Sequence, residues 1–143
     1  MTLTVRYRVR VQWSDCDMAQ VVYYPHYFRM FDSATHHLME QAGKPIPAMI
    51  RDFGIMGLPI VDAQAAFKAP CTWGDDLEVE SHVAEWRRRS FVVEHTIWKG
   101  ADTVVEGHEI RIWGLRRRGD PDKLMAGEIP AEFKSVFEPK EPS

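Results

Sequence analysis

Cysteine is scarce in this chain, and a long apolar run is missing altogether. Among 143 residues there are two cysteines, Cys16 and Cys71. They are too few for a disulfide framework and no C-x-x-C pairs them, so reduced thiols in a cytoplasmic protein are the expectation. No segment is apolar for long enough to span a bilayer. Met1 to Val11 alternates apolar and polar residues and carries Arg6, Arg8 and Arg10, unlike the continuous apolar core of a signal peptide. No membrane partner is expected. Positive charge is not in excess either: the formal net charge is −3, which argues against an overall basic nucleic-acid binder. G-x-S-x-G, Walker and Rossmann patterns are absent, which excludes serine-nucleophile hydrolysis by that motif and nucleotide-fold readings. There are six histidines but no H-E-x-x-H; His36 and His37 point to different helix sides, and His82, His95 and His108 fall in separate strands. Neither a metal nor a cofactor is expected.

What is present fits one folded domain. Hydrophobic residues make up 45% and charged residues 27%, enough to bury a core in a chain of this length. No internal repeat interrupts it. The domain is expected to run over residues 1–137, with residues 138–143 a flexible tail.

Leu3, Val5, Tyr7, Val9, Val11 and Trp13 alternate with polar residues, a period of two that predicts a strand with one buried face. From Tyr24 the spacing becomes helical and continues to Gly43, a C′ residue followed by Pro45 and Pro47. Tyr27, Phe31, Ala34, Leu38 and Ala42 form one stripe, opposite Arg29, Ser33, His36 and Glu40. Phe28, Thr35 and Met39 widen the apolar side, so the helix is expected to be largely enclosed. Asp32 sits at the edge of that side, where an acid is costly unless it has a partner.

Ile46 to Phe53 predicts a short helical turn before Gly54 and Gly57. Leu58 to Lys68, Leu77 to Trp86, Ser90 to Lys99 and Thr103 to Trp113 read as strands in a meander, with Gly100-Ala101-Asp102 a turn. Gly119-Asp120-Pro121-Asp122 breaks the chain, and a last short helix starts at Pro130. One strand, one long helix and then a run of strands is an α+β order, a curved antiparallel sheet wrapped around one central helix. Such a sheet leaves unpaired edges, one of which pairing across a dimer would cover.

Between the first strand and the helix lies Asp15-Cys16-Asp17-Met18-Ala19-Gln20, followed by Val21-Val22-Tyr23-Tyr24-Pro25-His26-Tyr27. A carboxylate beside a helix N-terminus places a base or nucleophile next to free backbone N–H donors. That pairing suits acyl transfer, because attacking group and oxyanion stabiliser arrive together. On composition alone both acids are ordinary loop acids.

This stretch resembles the signature of the 4-hydroxybenzoyl-CoA thioesterase family of hot-dog proteins. The likeness extends to Phe31-Asp32-Ser33-Ala34, to Gly54-Ile55-Met56-Gly57-Leu58-Pro59-Ile60-Val61 and to Glu85-Trp86-Arg87-Arg88-Arg89-Ser90-Phe91-Val92. It reaches about Trp113. The resemblance implies a hot-dog fold and hydrolysis of an aromatic acyl-CoA, 4-hydroxybenzoyl-CoA or a close relative, to free acid and coenzyme A. It implies Asp17 as nucleophile or general base and the Tyr24 N–H as the donor that polarises the thioester oxygen. It places Asp32 at the distal end of the acyl pocket, within reach of a ring hydroxyl, and Leu58 beside the substrate. Arg87, Arg88, Arg89 and Ser90 are implied to hold the nucleotide end of coenzyme A, a role suited to bidentate guanidinium donors. Arg116-Arg117-Arg118 has no such tie and reads as a solvated turn. The pocket is implied to lie between subunits, making a dimer the minimum and a tetramer the expected assembly.

One departure concerns Gln20, where the family usually has glycine; Met18 also stands where proline is frequent. Glycine there allows positive φ or close substrate approach; Gln20 instead offers a polar contact. Two rivals stand beside the aromatic reading: a short-chain aliphatic acyl-CoA thioesterase, and a non-catalytic acyl-CoA-binding protein.

Overall fold

The computed structural model describes residues 2–138. Strand β1 (Thr4–Arg10) turns its apolar residues inward and Arg6, Arg8 and Arg10 outward, as the period of two requires. It stops at Arg10 rather than Trp13. The Val11 N–H bonds the Asp75 carbonyl at 2.9 Å, and Trp13 opens a short 3₁₀ turn, Trp13–Asp15, with its ring exposed. Helix α1 (Pro25–Gln41) follows. Its stripe is buried as expected: Tyr27, Phe31, Ala34 and Leu38 are each at most 4% exposed. Gly43, at φ 75°, ends it; the Gly43 N–H bonds the Glu40 carbonyl and the Lys44 N–H the Met39 carbonyl, the paired bonds of a glycine-capped terminus. Helix α2 (Ile46–Phe53) is the predicted short turn.

The remaining strands are β2 (Ile60–Phe67), β3 (Asp76–Trp86), β4 (Ser90–Lys99) and β5 (Asp102–Ile112). With β1 they form one antiparallel sheet in the order β1-β3-β4-β5-β2. The expected four-strand meander is therefore only three strands long. Segment 68–75 does not form a hairpin; it crosses the end of the sheet. Lys68 bonds Val104 of β5, Val22 bonds Cys71, and Gly74 bonds Val11 beyond β1. These contacts place β2 against β5 at one edge and deliver β3 next to β1 at the other. On β2, Phe67 packs on Tyr27 and Phe28, whereas Val61 is 58% exposed. The small residues expected to press this strand on the helix do so only at Ala65.

Inward-facing residues of the central strands cover α1 in two apolar clusters. Tyr27, Met30 and Phe31 meet Leu77, Val79, Ile97 and Val105 toward the start of the helix. Leu38 and Met39 meet Val83, Phe91 and Val93 toward its end. Gly107 sits where the Phe31 ring presses on the sheet; a Cβ there would lie 2.7 Å from Phe31 Cε2.

Beyond the sheet, where only a chain break at Gly119–Asp122 was expected, the chain forms a hairpin of β6 (Gly114–Arg117) and β7 (Asp120–Ala126). Gly119 turns it at φ 86°, and Pro121 is tolerated because a two-stranded ribbon has a free edge. Arg116 donates to the Pro121 carbonyl within it. Helix α3 (Ala131–Phe137) begins just after Pro130 and buries Phe133 and Phe137. Of the expected tail, residues 139–143 lie outside the described residues. Among the described residues no helix is long and apolar enough to cross a membrane.

Candidate active site

The two acids after β1 have different surroundings. Asp15 is 5% exposed. Its carboxylate accepts from the Gln12 N–H at 2.8 Å and from Arg29 Nη2 at 2.6 Å, and its carbonyl accepts from the Tyr23 N–H. Asp15 therefore ties the loop to the helix. Asp17 is exposed. Its Oδ1 accepts from the Ala19 N–H at 2.8 Å, an Asx turn that sets the direction of the side chain while leaving its second oxygen to solvent.

The loop is closed tightly. Cys16 bridges Val22, the Asp17 N–H bonds the Val21 carbonyl, and the Gln20 N–H bonds the Asp17 carbonyl. Met18 thus occupies the second position of a four-residue turn, one that proline also favours. Gln20 adopts φ 68°, the one positive value at a non-glycine position among the described residues. Its carbonyl accepts from Thr72 Oγ1 at 2.7 Å. The conformation associated with glycine is thus kept without glycine, with the strain of a left-handed residue.

Tyr24 precedes Pro25, the first residue of α1, which has no N–H. The next donors are occupied, His26 by the Tyr23 carbonyl and Tyr27 by the Tyr24 carbonyl. The Tyr24 N–H has no acceptor among the described residues. It is left free beside the Asp17 loop and at the positive end of the helix dipole. The Tyr24 ring is 57% exposed and stands edge-on to Tyr23 and Phe67.

Asp32 is not the lone acid that its place on the helix implied. Arg111 Nη2 donates to Asp32 Oδ1 at 2.7 Å, and His36 Nε2 lies 3.5 Å away. Arg111 Nη1 donates to the Leu58 carbonyl at 2.9 Å. Asp32 and Leu58, far apart in sequence, therefore meet at one guanidinium. Arg111 and Leu58 line a groove of about 470 Å³ together with Met56, Pro59 and Leu124. Arg111 and Leu124 were not among the expected site residues. One signal for Arg111 was available: Glu109 and Arg111 are two apart on a strand, hence on one face, and that face is the inner one.

Behind Arg111 lies a buried polar cluster. Its Nε and Nη2 donate to Glu109, and Glu109 also accepts from Thr35 Oγ1 and lies 3.0 Å from His95 Nε2. Ser81 Oγ is 2.6 Å from His95 Nδ1, and Phe31 stacks on the imidazole. A neutral His95 with its proton on Nε2 satisfies both neighbours. Burial holds the His95 pKa below its ordinary 6.5. Burial alone would raise the Glu109 carboxyl; the His95 hydrogen bond and the Arg111 charge outweigh it and bring it down to about 2.

Arg87, Arg88 and Arg89 are exposed on the β3–β4 turn, closed by the bond from the Arg87 N–H to the Ser90 carbonyl. Arg87 pairs with Glu85, and Arg88 lies 3.5 Å from Glu128. Asp17 follows the end of β1 that pairs with Asp76, whereas this turn follows the opposite end of β3. Within one chain the two are separated by about 30 Å of strand.

Comparison with known proteins places this arrangement. The sequence model of the Thioesterase-like superfamily matches residues 11–134. The 4-hydroxybenzoyl-CoA thioesterase of Pseudomonas sp. strain CBS-3 is 32% identical over 139 residues, 93% of this chain and 96% of that protein. A solved aspartate-to-asparagine mutant of 4-hydroxybenzoyl-CoA thioesterase, complexed with 4-hydroxybenzoyl-CoA, superposes with a TM-score of 0.87 at 29% identity, covering 94% of this chain and 99% of that one. A gentisyl-coenzyme A thioesterase gives 0.79 at 33% identity, covering 93% and 98%. The sheet around α1 is a hot-dog fold. The chain belongs to the Thioesterase-like superfamily and is a thioester hydrolase.

Two predictions follow from the polar cluster and the loop. In the unfolded chain His95 takes up a proton as pH falls through 6.5, and in the folded chain it does so only at lower pH. Glu109 adds stability that is complete above 4.5 and lost as pH falls toward about 2. Both shifts make the unfolded state bind more protons on acidification, so Tm should fall steadily from about pH 7.5 to 4; a Tm that stays level or rises would contradict the cluster. Separately, Gln20→Gly should raise unfolding stability by roughly 0.5–1 kcal/mol in a denaturant titration, since relief of left-handed strain exceeds the added freedom of the unfolded chain. A loss of that size would show that the Gln20 side chain stabilises the loop.

Proposed function

We propose that this hydrolase cleaves aromatic acyl-CoA thioesters bearing a ring hydroxyl, 4-hydroxybenzoyl-CoA or a close relative, releasing the free acid and coenzyme A. The observation that carries the reading is the unaccepted Tyr24 N–H at the end of the loop that bears the exposed Asp17 carboxylate. The relatives named above act on hydroxylated aryl-CoA thioesters, which supports the substrate class. Coenzyme A enters as part of the substrate, and the reaction needs no further cofactor.

The thioester oxygen accepts from the Tyr24 N–H, whose strength rises as negative charge develops on that oxygen. Asp17 either attacks the carbonyl carbon, giving an anhydride that water opens, or takes a proton from a water that attacks. In both routes the C–S bond breaks and coenzyme A leaves as the thiolate. Asp32 accepts a hydrogen bond from the ring hydroxyl, with Leu58 against the acyl group and Gln20 bordering the loop. Arg87, Arg88, Arg89 and Ser90 take the phosphates.

These groups fit one substrate only with a second copy of the chain. β2 is an edge strand with Ile60, Val61 and Phe67 each more than 40% exposed. Two-fold antiparallel pairing through β2 lays the Phe67 end of one strand against the Ile60 end of the other. The Asp17–Tyr24 end of one protomer then faces the partner's Leu58 and Asp32, and the arginine turn of that second copy lies at the same end. A dimer is the minimal unit, and a tetramer is a pair of such dimers.

Asp17→Asn should fold normally and lose about a hundredfold or more in kcat for 4-hydroxybenzoyl-CoA, measured by thiol release. Near-normal turnover by that variant would exclude the mechanism. In a substrate panel, faster cleavage of butyryl-CoA than of aryl-CoA would instead favour the aliphatic reading, and binding without thiol release the non-catalytic one.

A further inference from the structure

We infer that Arg111 is a specificity-determining positioning residue, acting through Asp32 on the choice between hydroxylated and plain aryl substrates. The inference rests on the reading of Asp32 as the group that meets the ring hydroxyl. Without Arg111, Asp32 has only His36, 3.5 Å away on the next helical turn, to hold it: its side chain is 48% exposed, on the flank of α1. An exposed aspartate samples several rotamers, and a hydrogen bond to a substrate hydroxyl then costs the entropy of fixing one of them. Arg111 removes that freedom. Its guanidinium is only 4% exposed and donates to three groups at once: Asp32 at 2.7 Å, the Leu58 carbonyl at 2.9 Å and the two oxygens of buried Glu109. The planar fork leaves one direction for Asp32.

Arg111 is fixed in turn from behind. Glu109 is held by Thr35 and His95, and His95 by Ser81 and the face of Phe31. The chain of contacts runs from the middle of the sheet through Arg111 to the rim of the apolar groove. Arg111 and His36 both meet Asp32 at Oδ1, and one guanidinium is set against two carboxylates, so the second Asp32 oxygen stays available to a donor. A neutral hydroxyl satisfies it, a hydrogen at the same ring position does not, and an anionic substituent is repelled by the excess of negative charge. Arg111 touches no reacting atom in this scheme. It makes the preference for the hydroxyl sharp by keeping the acceptor in place.

Lysine keeps a positive charge beside Glu109 but cannot hold all three partners, because a point charge has no planar fork. The test measures kcat and KM of the full chain for 4-hydroxybenzoyl-CoA and benzoyl-CoA in wild type, Arg111→Lys, Asp32→Ala and the double variant. Arg111→Lys should lower the ratio of kcat/KM values for the two substrates at least about tenfold, with benzoyl-CoA itself changed less than about threefold. In the Asp32→Ala background the same substitution should leave that ratio unchanged. An equal loss on both substrates, the mark of a merely structural residue, overturns the inference. So does a fall in the ratio that persists without Asp32.

A wild type that does not prefer the hydroxylated substrate refutes the reading of Asp32, and the inference falls with it. A wild type with the preference, retained by Arg111→Lys, refutes the inference alone. If Arg111→Lys does not fold by circular dichroism, the unaltered protein gives the answer. The NMR signal of the Arg111 Nε–H should shift on binding 4-hydroxybenzyl-CoA, a non-hydrolysable thioether, and not on binding benzyl-CoA. Identical shifts with both overturn the inference.

Discussion

The guanidinium of Arg111, placed inside the sheet, is the constraint that the rest of the molecule accommodates. A buried charge is tolerated only when it is paired and its donors are used. Glu109 supplies the opposite charge two residues earlier on the same face of β5, and Leu58 and Asp32 each take a further donor. Glu109 in turn needs donors of its own, which Thr35 and His95 provide. Each requirement draws in another element, until α1, β3, β4, β5 and the loop before β2 share one network. Apolar clusters flank it on both sides, so the polar centre lies in the middle of the core.

Where the sequence carried a strong local period, structure followed it. β1 lies within the predicted alternation but stops short of Trp13, and α1 follows its 3.6-residue stripe and is closed at Gly43 by the expected capping bonds. The Asp15–Tyr27 stretch was legible as a loop that carries a carboxylate up to a helix start, and the structure has that arrangement. Gln20 was legible as an anomaly, and its φ of 68° shows why: the turn demands a left-handed residue whatever side chain stands there. The placement of β2 was not legible. Its partner is chosen by the path of segment 68–75 across the sheet end, a tertiary fact with no local period. The β6–β7 hairpin was missed because Gly119 and Pro121 are turn residues in any context, and strands this short carry little alternation. Asp32 was correctly marked as needing a partner, but Arg111 lies 79 residues away in the chain.

The geometry also separates the groups that the proposed mechanism uses together. Asp17 and Tyr24 stand at one end of the sheet; Asp32, Leu58 and the arginine turn stand toward the other. In the proposed dimer, a two-fold axis through the exposed β2 edge would bring opposite ends of two chains together. In this account catalytic groups and substrate-reading groups come from different copies, and the strained Asp17 loop and the Arg111 network need never touch within one chain.

Mixed oligomers test that division most directly. Asp17→Asn and Asp32→Ala chains, each poorly active alone on 4-hydroxybenzoyl-CoA, would be co-expressed with different tags and the heterodimer isolated. If the site is shared across the β2 edge, one of its two sites contains both native acids, and roughly half of the wild-type turnover per dimer should return. A heterodimer no more active than its parents would place both acids in the same chain's site and contradict the account.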